Sequence, residues 1–319
     1  MLLDMFSDPM ETIMGLLISL PGIFLALSAH EAAHGWVALK CGDPTAQMMG
    51  RITLNPLKHI DPIGFLCMLF AGFGWAKPVP VNPNNFRNSR RDDLKVSLAG
   101  ITANLILFVI AFMVASGVIT AAYKSMPAFD SMDEYIEYLD ENYLVDKDGF
   151  ARENIAAIWA DEGEKLVSIV PAGEHAYIVG ADRSVTVYYM TNSDAFFGAD
   201  MLSLGYYLVS NTWGKAAEIA FEMLFSFIYL NLGLAAFNLI PVPPLDGYHV
   251  LNDLILKRPL FADFKVQRMG TSLMFILIML GNVSPKLDVI SIVIDFVTNQ
   301  MLSAFTSIFH TLAGVFNII

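Results

Sequence analysis

Charge is scarce in this chain. Only 16% of its 319 residues are Asp, Glu, Lys or Arg, against 55% hydrophobic, and the mean hydropathy is +0.53. An average soluble domain carries roughly 25% charged residues, so the composition argues against a soluble protein. Cations are the scarcer sign, 19 against 31 anions for a net charge of −12. With no basic stripe anywhere, a nucleic-acid partner is excluded. The first residues hold Asp4, Asp8 and Glu11 but no Lys or Arg. They lack the basic segment of a cleaved signal peptide, so the first apolar helix is expected to be retained. Cysteine is limited to Cys41 and Cys67, too few for a thiolate zinc site. Both lie in the most cation-rich stretch, expected on the reducing cytoplasmic side, where pairing is disfavoured.

What is present is a series of apolar runs near the roughly 20 residues that cross a bilayer. Residues 12–40, 94–120, 216–240, 269–283 and 287–316 read as membrane helices, the first with Pro21 as a kink or frayed turn. Residues 60–76 are apolar but short and glycine-rich, with Lys58 and Lys77 at either end. A re-entrant or interfacial segment is expected there. Weak alternation over 46–58 reads as a short strand, and the proline-rich 78–86 as an extended edge strand. A short helix is expected over 244–256. Residues 121–214 hold 16 Asp and Glu against 5 Lys and Arg. Gly-turned segments within 167–190 there suggest two or three strands.

The expected fold is therefore an all-α polytopic membrane protein. It has about five spanning helices, a re-entrant and β-loop segment, and a small soluble α+β insertion. The domain reading is a membrane core over 1–120, an acidic soluble insertion over 121–214, and a second membrane core over 215–319. Residues 40–95 carry 8 Lys and Arg, and residues 257–268 carry 4. The positive-inside bias places both on the cytoplasmic side, leaving the N-terminus and the insertion outside. That scheme closes only if 60–76 does not cross.

The chemistry is carried by His30-Glu31-Ala32-Ala33-His34. At helical spacing His30 and His34 share a face and can hold one Zn²⁺, with Glu31 beside them as general base. A hydrolytic zinc site takes three protein ligands. Asp246, in NLIPVPPLDGYH, is the best third: it is the single acidic residue of 223–252. A carboxylate at membrane depth also needs a cation. Gly247 would permit a close backbone approach there. Asn238, eight residues earlier, can supply an oxyanion donor. An extended substrate could pair with 78–86, making Val79 and Val81 candidate substrate contacts, with Asn104 a third. Of the other histidines, His249 reads as interfacial; His59, His175 and His310 have no assigned role.

HEAAH in the first helix, SLAGITAN in the next and NLIPVPPLDG in the third resemble the site-2 protease family of intramembrane zinc metalloproteases. GRITLNPLKHIDPIG and GWAKPVPVNPNNF are similar to loops of its short bacterial and archaeal members. The likeness covers roughly 21–115 and 216–316. It implies His30, His34 and Asp246 as ligands of one zinc per chain, Glu31 as base and Asn238 as transition-state support. Asn104 is implied as a polar residue of the core. The implied substrate is a transmembrane protein in the bilayer of a prokaryotic cell membrane, cut with the active site toward the cytoplasm. Where the family commonly carries proline in AGPxxN, this chain has Ile101 and Thr102. The insertion shows no PDZ-like motif, and the C-terminus no nucleotide-binding domain. Two rivals remain open, a non-catalytic metal-binding membrane protein and a metal transporter. Transporters usually show internal repeats, and this sequence has none. Oligomeric state is not written in the sequence.

Overall fold

The computed structural model describes residues 9–71, 74–125, 166–172, 175–180, 185–189, 195–197, 209–210, 212–256, 264–283 and 288–315. Expectations for 126–165, including any helix of the insertion, lie outside these. The chain forms two compact units. One comprises Met1–Phe112 and Ser226–Ile318, the other Met113–Phe225 with Ile319.

The first unit is helical. Helix α1 (Pro9–Cys41) carries Pro21 in its interior. It ends at Gly42, whose φ of 111° is left-handed backbone open to glycine. The Gly42 amide reaches the Leu39 carbonyl at 3.1 Å and the Asp43 amide the Ala38 carbonyl at 2.9 Å, closing the helix terminus. A single turn, α2 (Thr45–Met48), follows. The strand expected over 46–58 does not form. Asn55 instead caps a 3₁₀ turn at Pro56–Lys58 by accepting from the Leu57 amide. Local side-chain hydrogen bonds here outcompete extended pairing.

Helix α3 (Pro62–Ala71) has ten residues, a rise of about 15 Å, half a bilayer. Asp61 caps it by accepting from the Ile63 and Gly64 amides at 3.0 and 2.8 Å. Its flanks meet: Ile60 and Ala76 form an antiparallel bridge, and the Lys77 amide donates to the His59 carbonyl at 2.7 Å. Residues 78–82 are irregular and a 3₁₀ turn occupies Pro83–Asn85. The expected edge strand is therefore absent, because carboxylates claim its amides: Val79 donates to Glu31 and Asn82 to Asp43.

Helix α4 (Ser89–Ser125) opens on a reciprocal cap. Asn88 accepts from the Arg91 amide, and Asp92 accepts from the Asn88 amide. Helix α5 (Lys215–Asn238) stops before the prolines. Helix α6 (Asp246–Val250) then continues through a π-type turn at Leu251–Leu256. Helices α7 (Phe264–Val283) and α8 (Val289–Val315) complete the order. Phe108 of α4 packs edge-on against Phe305 of α8 with centroids 4.9 Å apart.

Among the described residues three helical stretches are long and apolar enough to cross a membrane: Ile13–Cys41, Ser89–Ala122 and Lys215–Asn238. Leu17, Leu25, Ile106 and Ile110 on them are exposed, an outward greasy face that water penalises and lipid accepts. The second unit contains a four-stranded antiparallel sheet of sequential order: β1 (Leu166–Ala172), β2 (His175–Gly180), β3 (Val185–Tyr189) and β4 (Ala195–Phe197). Three of these strands fall in the segment expected to hold two or three; β4 is additional. Ile169 faces Ile178, and Tyr177 faces Val187, in register.

Candidate metal centre

Helix α1 presents His30 and His34 one turn apart, and their Nε2 atoms lie 3.0 Å from each other. Asp246 reaches His34 and His30 from 212 and 216 residues away in sequence. Its Oδ2 stands 3.3 Å from both Nε2 atoms. The backbone explains the reach. The prolines end α5, and the loop folds back so closely that a Cβ on Gly247 would lie 2.3 Å from the Leu239 carbonyl oxygen. The close approach expected at Gly247 is thus a contact with the end of α5, and it aims Asp246 at α1.

These spacings suit zinc. Ligand atoms roughly 2.0–2.1 Å from a tetrahedral ion stand about 3.3 Å apart, which the two Asp246 distances match. The protonation pattern agrees. His34 Nδ1–H donates to the Val96 carbonyl at 2.7 Å, which leaves Nε2 a bare lone pair. Asp246 Oδ2 is buried without a hydrogen-bond donor. A lone pair and an anionic oxygen facing one another in a buried cleft need a cation between them. Helix α4 leaves the room. A Cβ on Gly100 would sit 2.5 Å from His30 Cε1 and 2.5 Å from His34 Nε2, so this face of the site is closed by bare backbone.

Glu31 is turned to the neighbouring segment, its Oε2 accepting from the Val79 amide at 2.7 Å. Val79 is buried and Val81 half-buried. Asn104 is fully buried, with Oδ1 2.6 Å from His30 Nδ1. It touches a candidate ligand. Asn238 has its side-chain amide engaged within its own helix, donating to the Leu234 carbonyl at 3.0 Å.

Three contributors were not singled out in the sequence. Asn231 accepts from Asn104 at 2.9 Å; its only signal is an amide in an apolar helix, which demands a partner. Gly100 stood within the SLAGITAN stretch without a role. Asp43, fully buried, anchors Asn82 and Asn85, accepting from the Asn82 amide and the Asn85 side chain. Cys41 and Cys67 are free thiols, as expected.

A family model described as "Peptidase family M50" matches residues 19–281. Three curated proteins, each named "Putative zinc metalloprotease", are similar. YwhC of Bacillus subtilis is 31% identical over 233 residues, covering 73% of this chain and 67% of that protein. Rip2 of Mycolicibacterium smegmatis is 29% identical over 32% of this chain and 41% of its own length. The third, mll0638 of Mesorhizobium japonicum, is 32% identical over 23% of this chain and 21% of its own. No solved structure matches.

Proposed function

The chain belongs to peptidase family M50, the site-2 proteases, and from that premise we propose that it hydrolyses a peptide bond in or beside a transmembrane segment of a membrane-protein substrate. It is a zinc-dependent metalloendopeptidase and a membrane protein. The observation that carries the reading is the convergence of Asp246, on the short helix α6, with His30 and His34, which lie on a helix long enough to cross a bilayer.

His30, His34 and Asp246 would hold the zinc. When bound, the ion supplies Lewis acidity that polarises a carbonyl and acidifies water. Glu31 Oε2 is held by the Val79 amide. Its other oxygen, Oε1, takes a proton from the attacking water and returns it to the leaving nitrogen. Asn238, once its amide leaves the Leu234 carbonyl, donates to the oxyanion. Residues 78–82 lie beside Glu31 and receive an unwound stretch of substrate, with Val79 and Val81 in contact. A helical peptide has its carbonyls already bonded and its backbone sheathed in side chains. Asn104 serves His30, not substrate.

The fold reading is five spanning helices, α7 and α8 joining the three above, with α3 re-entrant. Its length and its bridged flanks support that: a segment whose two ends pair returns to the side it left. The domains are two membrane cores, 1–120 and 215–319, around an insertion at 121–214. Orientation follows from charge. Lys40 at the C-terminal end of α1, Arg90, Arg91 and Lys95 at the N-terminal end of α4, and Arg87 just before it support a site facing the cytoplasm, and we assign it to the cell membrane of a prokaryote. Release of a fragment from the membrane, as in regulated intramembrane proteolysis, is the corresponding role.

The test uses the full chain in proteoliposomes with a reporter containing one transmembrane helix. Wild type should cut within or beside that helix. Glu31→Gln should keep its zinc and lose about 10²–10⁴ in rate. Asp246→Ala should lose both. Cleavage by Glu31→Gln at the wild-type rate would refute the assigned base. Undiminished zinc in Asp246→Ala would refute the ligand set.

A further inference from the structure

We propose that Asn231 and Asn104 form an amide relay that fixes the tautomer of His30, so that the ring meets zinc through Nε2. The argument begins at a backbone carbonyl. Asn231 Nδ2 donates to the Phe227 carbonyl of its own helix at 2.8 Å. A carbonyl oxygen can only accept, so the amide cannot turn over: reversed, it would set two oxygens against each other. Its Oδ1 therefore faces Asn104.

Asn104 must meet that oxygen with its NH₂, and it does, donating through Nδ2 at 2.9 Å. Its own Oδ1 is left to face His30 Nδ1 at 2.6 Å. An amide oxygen accepts only, so Nδ1 carries the proton. Both asparagines are fully buried at 0% exposure, so no bulk water substitutes for either partner. The direction of every bond is thus fixed from Phe227 outward. The last link leaves Nε2 as the lone pair, aimed at Asp246 Oδ2 and His34 Nε2.

The two histidines are steered by different means. His34 is set in one step, by the Val96 carbonyl, which no side-chain substitution removes. His30 is set in three steps through two side chains on α4 and α5. Asn104 and Asn231 are therefore positioning residues: neither touches zinc or substrate in this scheme. An outer partner that orients a metal-binding imidazole commonly contributes 10- to 100-fold in metal affinity.

The inference rests on the zinc site proposed above. The direct test is nitrogen NMR of ¹⁵N-histidine-labelled protein in detergent, without metal and at a pH where the ring is neutral. The His30 signals, assigned with His30→Ala, should be those of the Nδ1–H tautomer; the Nε2–H tautomer in wild type would overturn the relay. Zinc titration is the second readout. Asn104→Ala should bind zinc ~10- to 100-fold more weakly, and Asn231→Ala several-fold more weakly. Asn231→Ala should add nothing in an Asn104→Ala background, because the links act in series. Independent, multiplying losses would overturn the series. If His30→Ala loses zinc while Asn104→Ala binds like wild type, the relay fails and the ligand set stands. If His30→Ala keeps its zinc, the site assignment itself fails.

Discussion

The Val79 amide donates to the Glu31 carboxylate at 2.7 Å, tying the proposed base to the segment on which substrate would lie. A charge-assisted bond of this kind is short and stronger than a neutral one, so Glu31 is held in place before substrate arrives. The same bond uses a main-chain donor that an added strand would otherwise claim. Substrate pairing therefore begins beyond Val79 or displaces Glu31 from it. Val79→Pro deletes the donor in a segment already flanked by Pro78 and Pro80. It should lower kcat by roughly 10-fold, from the ~1.5 kcal/mol of such a bond, with zinc content unchanged. Val79→Ala keeps the N–H and should hold kcat near wild type. Equal kcat losses in the two variants would show that the side chain, not the amide, matters.

Gly100 closes the proposed metal site with backbone alone. A Cβ there would lie 2.5 Å from both His30 Cε1 and His34 Nε2, and these rings are held at Nδ1 by Asn104 and Val96. They cannot swing aside without breaking those bonds. Gly100→Ala should therefore weaken zinc binding by about tenfold or more, read by elemental analysis after dialysis against a weak chelator. Gly117 lies on the same helix, and a Cβ there would meet nothing within 4 Å. It is the control: Gly117→Ala should retain zinc fully.

The parts legible in the sequence are those whose signal is local. His30 and His34 announce themselves by a four-residue spacing, and Asp246 by being a lone acid after three prolines. The apolar runs place the long helices because a bilayer demands length and grease in one stretch. Misreadings arose where distant groups decide. Val79 and Val81, alternating with prolines, look like a strand edge, yet the amides of Val79 and Asn82 belong to Glu31 and Asp43, 48 and 39 residues away. Residues 46–58 look weakly alternating, yet a capping Asn55 and a helical turn take the backbone. Asn231 was silent because an asparagine in an apolar helix does not say which neighbour it faces. Asn238 was legible as an amide near Asp246, but its bond to Leu234 depends on a rotamer that spacing cannot fix.

Asp43 fastens the segment around Asn82–Asn85 to the end of α1. It is fully buried and accepts from the Asn82 amide, the Asn85 side chain, and both the amide and the hydroxyl of Thr45. Burial alone would raise its pKa, but these donors outweigh it and hold the carboxyl below the ordinary range. A lowered folded-state value stabilises the protein above the unfolded value near 3.8, and that stability is lost as pH falls through the folded value. Asp43→Ala, which orphans several buried donors, should cost about 3 kcal/mol, measured by denaturant unfolding in detergent at pH 7. Asp43→Asn should flatten the decline in stability below pH 4. An unaltered acid limb in Asp43→Asn would assign that decline to other carboxylates.

The turn after Asp246 is fastened to the start of α4 by groups that titrate. His249 Nδ1 lies 3.0 Å from Asp93 Oδ2, and that carboxylate raises the His249 pKa against a smaller opposing cost of burial. Asp246 and Asp253 add negative charge in the same sense. Asp253 is pushed up to about 6, first by burial and then by the charge of Asp93, with His249 and Arg90 opposing. Arg90 also donates through Nε to the Asp253 backbone carbonyl at 2.8 Å. Both folded-state values exceed the unfolded ones, so the folded junction binds more protons and weakens as pH rises. The Asp253 contribution falls between about pH 4 and 6; the His249 contribution falls above roughly 6.5. Hydrogen exchange across Asp246–Leu256, corrected for intrinsic rates, should show protection declining from pH 5 to pH 8. Asp253→Asn should remove the lower part of that decline and raise protection at pH 7. His249→Gln should remove the upper part. Protection that stays flat with pH in wild type would mean that helix packing, not these charges, holds the turn that carries Asp246.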